Sequence, residues 1–423
     1  MPRRPFRPDF SGPPQPAARD PGAPARGPSG RLRRVNALTW ISVGSLAAWL
    51  WLLLGQGFFW RTDVRLPDRR PPDDWPSVAI VVPARDEAEV LPESLPSLLA
   101  QDYPGRAEVF LVDDGSTDGT GELARSLAAE RGGLPLTVDS PGEPGPGWTG
   151  KLWAVRHGMA LARARTDAEY LLLTDADIAH APGSLRELVA AARAADLDLV
   201  SQMARLRVVT PWERLIVPAF VYFFSQLYPF RWVNRPGGRT AAAAGGCVLL
   251  RREAAERARI PDAIRHAVID DVTLARAVKR TGGRIWLGLA ERVDSIRPYP
   301  RLGQLWRMVS RSAYAQLLYQ PLLLLATVAG LAVVYLAPPA AVAAGAAGGN
   351  VPALAAGAAA WAVMTGTYLP MLRYYRQPWW LAPLLPFTAA LYLLMTVDSA
   401  VQHYRGRGAA WKGRTYTRPE AAP

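Results

Sequence analysis

The sequence predicts an α/β domain with a mostly parallel sheet and helices on both faces, framed by membrane-spanning helices. Three observations predict it. Between Ser77 and Leu287, short apolar runs of strand length alternate with segments of helical period. On either side lie apolar stretches of another kind: Ala37–Trp60 is an uncharged run of 24 residues, and Gln316–Leu372 holds no charged residue. Finally, several strand-like runs stop abruptly at carboxylates, most sharply in Tyr170-Leu171-Leu172-Leu173-Thr174-Asp175-Ala176-Asp177. The carboxyl ends of parallel strands are where such sheets collect ligands.

Taken in order, residues 1–36 are rich in Pro, Gly, Ala and Arg, too poor in apolar surface for a core, and read as a disordered basic tail. They make a poor signal peptide, because the apolar segment comes late and lacks a small-residue cleavage site. Ala37–Trp60 is long enough to cross a hydrocarbon layer of about 30 Å, with Trp40 and Phe58-Phe59-Trp60 at interfacial depth. A Pro-rich linker, Pro67–Pro76, leads into the domain at 77–315. Strands are expected at Ser77–Pro83, Ala107–Asp113, Leu134–Val138, Tyr170–Thr174, Leu197–Gln202, Cys247–Leu250 and Arg284–Leu287. Helices are expected at Glu87–Gln101, Thr120–Glu130, Lys151–Arg165, Ser184–Ala195 and Ile269–Arg280. Leu215–Phe230 is apolar and aromatic but too short to span; it reads equally as an interfacial helix through which an acceptor enters or as a core helix. Pro338-Pro339 and Gly348-Gly349 divide the uncharged stretch into spans at about 317–337 and 353–372, and Trp379–Val397 is a further candidate. That predicts a membrane region over 317–400 with two or three helices, then a basic tail at 401–423.

The formal charge of +13 is unevenly placed. Residues 1–36 carry eight Arg against two Asp, and the stretch from Gln402 onward carries five basic residues against Glu420. Basic tails beside apolar segments suit anionic lipid; nucleic acid, which prefers basic charge interleaved with aromatics on a folded face, is excluded as a partner. Arg373 and Arg376 place their loop on the cytoplasmic side, and with it the α/β domain, in a multi-pass cell-membrane protein. Four complete spans would leave both basic tails outside, against the same tendency. The single cysteine, Cys247, rules out an internal disulfide and reads as a small buried residue.

Four stretches bear chemistry. Pro83-Ala84-Arg85-Asp86-Glu87 closes the first strand. Asp113-Asp114-Gly115-Ser116-Thr117-Asp118 ends the second, with Asp118 expected as a helix cap. Asp175-Ala176-Asp177 offers two hard oxygen ligands to Mg²⁺ or Mn²⁺ bridging to phosphate. Asp270-Asp271 opens a helix, where a carboxylate can take a proton from an attacking hydroxyl. His157 and His180 read as surface residues, with a slighter possibility of His180 as a third metal ligand; Trp153 and Trp286 read as core.

These motifs in this order resemble the family 2 glycosyltransferases, inverting enzymes of the GT-A fold, over about residues 77–315. The resemblance implies a membrane-bound hexosyltransferase using a nucleoside-diphosphate sugar, UDP-linked in the first instance. It implies that Pro83, Arg85, Glu87, Asp113, Asp114, Lys151 and Asp175 line the donor site, and that Asp177 with Asp175 binds a divalent metal. Asp271 matches the general base, beside Asp270 where Glu is usual, and the Gly245-Gly246-Cys247 turn matches the acceptor side. Within the family the sequence is most similar to the hopene-associated glycosyltransferases, through Gly147-Trp148-Thr149-Gly150-Lys151-Leu152-Trp153-Ala154, Arg297-Pro298-Tyr299 and the stretch from Leu305 to Tyr314. That likeness implies a hopanoid or isoprenoid lipid acceptor. Trp306-Arg307 with Arg311 stands where processive members carry Q-x-x-R-W, which favours a single transfer; Arg307 and Arg311 share a helical face suited either to a diphosphate or to lipid headgroups. Two rival readings are a polyprenyl-phosphate glycosyltransferase and a non-catalytic nucleotide-binding scaffold.

Overall fold

The structure, a computed structural model, describes residues 28–406, Met1, and two short strands at 410–411 and 414–415, with side chains described over 37–406 and at Met1. Most of the two basic tails expected at 1–36 and 401–423 therefore lies outside the described residues. The first helix, α1 (Pro28–Leu54), begins well before the apolar run at Ala37. The domain follows as β1 (Val78–Ala84), α2 (Leu91–Leu99), β2 (Ala107–Asp113), α3 (Thr120–Arg131), β3 (Leu136–Asp139), α4 (Gly150–Arg165), β4 (Tyr170–Thr174), β5 (Ile178–His180), α5 (Ser184–Ala194) and β6 (Leu199–Leu206). Then come α6 (Pro211–Leu227), α7 (Phe230–Val233), β7 (Cys247–Arg251), α8 (Arg252–Arg257), α9 (Asp270–Arg280), β8 (Ile285–Ser295) and α10 (Leu302–Gln316). The C-terminal helices are α11 (Pro321–Leu331), α12 (Ala337–Gly348), α13 (Val351–Tyr374) and α14 (Leu385–Tyr404).

Eight strands form one sheet in the order β3-β2-β1-β4-β7-β6-β8-β5. The first four strands in that order pair in parallel, as does β6 with β8, but β7 runs antiparallel to both its neighbours and β5 antiparallel to β8. The sheet is thus mixed, because the chain re-enters at β7 from the ligand edge. That reversal sets Cys247, the first residue of β7, opposite Thr174, the last of β4. β8 runs on to Ser295, beyond the expected end at Leu287, since Glu291 and Arg292 face solvent and break the apolar pattern without ending the strand. The helix expected from Glu87 starts only at Leu91: Asp86 has φ +49°, and Glu87–Val90 form a turn.

Alternate strand residues feed two cores, one on each face. Ile80, Val82, Leu172 and Leu249 pack with α2, α3 and α5. Ala79, Val81, Leu171, Leu173, Val248 and Leu250 pack with α4, α6 and α9. Close approach of α4 to the sheet depends on Gly158, where a Cβ would come within 2.5 Å of Val81 Cγ1. The second core continues without a break into Tyr335, Met364, Tyr368 and Tyr392 of the C-terminal helices.

Among the described residues, three helices are long and apolar enough to cross a membrane: Ala37–Leu54, Pro321–Gly348 and Trp379–Tyr404. α13 is long enough but falls short of them in apolarity. The break expected at Pro338-Pro339 is absent. A π-helical turn at Ala332–Leu336 joins α11 to α12, and the prolines sit in the first turn of α12, where a missing N–H costs little. The chain reverses at Gly349 instead, and the Asn350 side chain caps α13. Gly357 allows α13 to lie close against α12: a Cβ there would stand 2.9 Å from Pro338 O.

α6 is the domain's dock onto this bundle rather than a helix lying free at the interface. Ile216, Val217 and Val221 are buried, the Tyr222 hydroxyl bonds Thr367 Oγ1 at 2.8 Å, and Tyr392 donates to Ile216 O at 3.0 Å. Phe223 meets Tyr335 and Tyr392 edge-on, at centroid distances of 5.5 and 4.9 Å. The aromatic rings that suggested lipid contact are spent on helix-helix packing.

Candidate active site

The ends of β1, β2 and β4 bring the first three acidic motifs to one edge. Loops after β1 and β2 zip together. Asp86 Oδ1 accepts from Thr117 N at 2.8 Å, and Asp118 Oδ2 accepts from Ala88 N at 2.9 Å while Oδ1 caps Thr120 at 3.1 Å. Arg85 Nη1 bonds Asp114 O and reaches Gly115 O at 3.3 Å, and it lies 3.6 Å from the fully buried Asp114 carboxylate. Asp113 Oδ1 accepts from Ser116 N at 2.9 Å and holds the turn in shape. Arg85 and Asp114 thus serve first to build this wall of the cleft; Asp113, half-buried at the end of β2, is the carboxylate at its rim.

The centre of the cleft is Lys151, in the first turn of α4. Its Nζ bonds Asp175 Oδ1 at 2.8 Å and Asp270 Oδ2 at 3.0 Å. Burial works against its charge, but the two carboxylates more than offset this and hold its pKa above the usual lysine value. One ammonium therefore ties the D-x-D to the Asp270-Asp271 pair. Pro83, Thr174, Asp175, Gly245, Asp270 and Asp271 line the same cavity.

Asp271 stands on the far side of this cation. Its Oδ2 accepts from Gly245 N at 3.0 Å and its Oδ1 from Val272 N at 2.7 Å. Burial, then the neighbouring Asp270 charge, push its pKa up to about 7, against the pull of Lys151 and the two N–H groups. A carboxylate poised there is matched to accepting a proton near neutral pH. Gly246 O accepts from Thr174 Oγ1 at 2.8 Å, fixing the turn to β4. Cys247, expected beside the acceptor, points its side chain into the core on the opposite face, with its thiol pushed up to about 12 by burial.

Asp177 bonds Arg297 Nε through Oδ2 at 2.8 Å, and Arg297 Nη2 also pairs with Glu87. Asp175 and Asp177 thus commit Oδ1 and Oδ2 respectively to cations of the chain. Among the described residues no three His, Cys, Asp or Glu side chains converge as a closed metal cage. This donor set fits a hard cation held by one or two carboxylates and completed by phosphate and water.

Two histidines differ from one another. His157 sits near the surface beside Asp139, Nε2 to Oδ2 at 3.0 Å. His180 is not a surface residue: it is buried, with Nε2 3.0 Å from Thr174 Oγ1 and Nδ1 3.1 Å from Ser184 Oγ. Burial lowers its pKa to about 4, and with both nitrogens engaged it is no metal ligand. Trp286 is core as expected; Trp153 packs edge-on against Trp148, with Arg156 over both rings. Arg307 and Arg311 are exposed on α10.

Two residues in the site's framework have no role assigned from the sequence. Glu213, buried in the first turn of α6, accepts from Thr210 N at 2.8 Å, Val209 N at 2.9 Å and Tyr299 N at 2.7 Å. Arg297 follows β8 and plugs the D-x-D. Only a capping pattern, Thr210-x-x-Glu213, hinted at the first.

The mixed sheet, the acidic strand ends and the bridging lysine define a GT-A-like domain. Residues 79–259 match the family model of glycosyl transferase family 2, so the chain carries a glycosyltransferase family 2 domain. Asp270, Asp271 and α10 lie beyond the matched stretch. The chain is similar to 4,4'-diaponeurosporenoate glycosyltransferase of Staphylococcus haemolyticus, 34% identical over 24% of this chain and 24% of that one. It is also similar to hyaluronan synthase of Streptococcus pyogenes, 28% identical over 34% of this chain and 32% of that one. The chain thus spans about a quarter to a third of the length of these curated relatives. Among solved structures, mannosyltransferase PcManGT from Pyrobaculum calidifontis, in complex with GDP-Man and Mn²⁺, superposes with a TM-score of 0.55 at 22% identity. The match covers 86% of this chain and 99% of that one, and it shows a shared fold.

Proposed function

We propose that this protein is a membrane-bound, metal-dependent inverting glycosyltransferase that moves one sugar from a nucleoside-diphosphate sugar to a lipid hydroxyl. The observation that carries the reading is the Lys151 bridge, which joins the D-x-D on the donor side to the Asp270-Asp271 pair on the acceptor side. Its relatives support the reading: one is a diaponeurosporenoate glycosyltransferase, another a hyaluronan synthase, and the structural neighbour is a mannosyltransferase in complex with GDP-Man and Mn²⁺. Apolar helices packed directly on the catalytic domain favour an acceptor that resides in the bilayer. A hopanoid or isoprenoid lipid fits that setting, with lipid glycosylation at the cytoplasmic face of the cell membrane.

In this mechanism the donor lies along the ends of β1, β2 and β4, with its nucleoside against the Asp113 rim. Asp177 and Asp175 would hold a divalent cation, which when bound neutralises charge on the leaving diphosphate. Lys151 keeps the D-x-D and Asp270 at a fixed separation. Asp271 takes the proton of the acceptor hydroxyl as its oxygen attacks the anomeric carbon from the face opposite the diphosphate. The new glycosidic bond forms as the bond to the diphosphate breaks, so the anomeric configuration inverts without a covalent enzyme intermediate. Gly245 N, bonded to Asp271 Oδ2, keeps that carboxylate aimed at the acceptor side.

The test uses full-length protein in lipid nanodiscs, supplied with labelled nucleotide sugars and a membrane lipid extract. The expected result is one monoglycosylated lipid of inverted configuration, lost in Asp177→Asn and on chelation. Full activity under a strong chelator, or a product that retains configuration, overturns the proposal.

A further inference from the structure

The segment between β8 and α10 runs past the D-x-D that follows β4 and is fastened at three points. Ile296 N donates to Asp177 O at 3.0 Å, the Arg297 guanidinium pairs with Asp177 and Glu87, and Tyr299 N donates to Glu213 Oε1 at 2.7 Å. Pro298 and Pro300 stiffen it further. The Asp177 and Glu87 side chains retain only 15% and 8% exposure, so water hydrates them poorly and a cation between them is required. Arg297 supplies it in the free protein. A divalent metal entering the D-x-D needs the same Asp177 carboxylate. A guanidinium displaced from it by a small movement stays beside the place where the donor's phosphates must lie, and its planar fork matches phosphate oxygens.

Resting on the glycosyltransferase reading, we propose that Arg297 is an exchange residue. It neutralises Asp177 and Glu87 while the site is free of donor; when metal and nucleotide enter together it yields Asp177 to the metal, keeps Glu87 and turns its freed N–H groups to the diphosphate. Metal alone must displace the arginine without offering it a new partner. Metal with a nucleoside diphosphate displaces it and provides that partner. Arg297 therefore couples the two binding events, so that each strengthens the other.

The experiment titrates Mn²⁺ into the full-length protein, with and without GDP or UDP, reading the free ion by electron paramagnetic resonance. In Arg297→Gln, Mn²⁺ alone is expected to bind about tenfold more tightly, the worth of one charge-assisted hydrogen bond. The extra Mn²⁺ affinity conferred by the nucleotide should shrink by about tenfold or more. Arg297→Lys, which keeps a cation but loses the fork, should fall between the two, and it carries the test if the glutamine variant melts early. Wild-type Mn²⁺ affinity, or an unchanged nucleotide effect, in a folded variant overturns the proposal while leaving the glycosyltransferase reading standing. If the wild-type protein binds neither Mn²⁺ nor nucleotide, both fall together.

Discussion

Asp271 is the residue whose perturbation tests the site most directly. Burial and the adjacent Asp270 raise its pKa to about 7. If it accepts the acceptor's proton, kcat/KM must rise with pH as it ionises, by about tenfold between pH 6 and 8 for a single base of that pKa. Asp271→Asn removes the proton acceptor and keeps the shape, so turnover should fall by about 10² or more and the rise near pH 7 should vanish. Asp270→Asn works in the other direction on the titration. It removes the like charge that is the second cause of the raised pKa, while Lys151 keeps its bond to Asp175 at 2.8 Å. The inflection should therefore move to lower pH. The assay is nucleoside-diphosphate release with saturating donor and subsaturating lipid acceptor, measured from pH 5.5 to 8.5. An inflection near pH 7 that survives in Asp271→Asn, or one that moves to higher pH in Asp270→Asn, refutes the assignment. A mild Asp271→Asn beside a crippling Asp270→Asn would reverse the roles within the pair.

Other consequences follow from the packing. Glu213→Ala removes a buried carboxylate that accepts from three backbone N–H groups of partly exposed residues, so unfolding by denaturant should show a loss of about 2 kcal/mol or more. His180 is held neutral with a pKa of about 4, below its unfolded value, so its contribution to stability is present above pH 6.5 and is lost as pH falls through 4. That amounts to about 3 kcal/mol, and thermal melts of His180→Asn should lack this part of the acid sensitivity. Phe223→Ser removes an aromatic side chain wedged against Tyr335 and Tyr392, so it should depress lipid transfer, transfer to a soluble acceptor and donor hydrolysis alike. Selective loss of lipid transfer would instead restore α6 as the acceptor's entrance.

The sequence by itself determined most of the elements and where the acidic groups fall along them. Strands β2 and β4 appear at their expected bounds, Ala107–Asp113 and Tyr170–Thr174, because a largely apolar run that stops at a carboxylate marks both a strand and its end. The acidic strand ends, Lys151 at a helix start and the Asp270-Asp271 pair were legible for the same reason: each is a local pattern. Relations between distant segments were not. Local periodicity says nothing of strand direction, so the antiparallel placement of β7, which brings Gly245 to Asp271, came only from the fold. An apolar aromatic helix looks alike against lipid or against protein, and only the packed bundle assigned α6 to the latter. His180 reads as a surface residue in the sequence because the hydroxyls that satisfy it, on Thr174 and Ser184, flank it locally but enclose it only once β4 and α5 close over it. The pairing of Arg297 with Asp177 and Glu87 spans 120 and 210 residues of chain. Ion pairs of that reach depend on where a strand ends in space, and that is decided by the sheet as a whole.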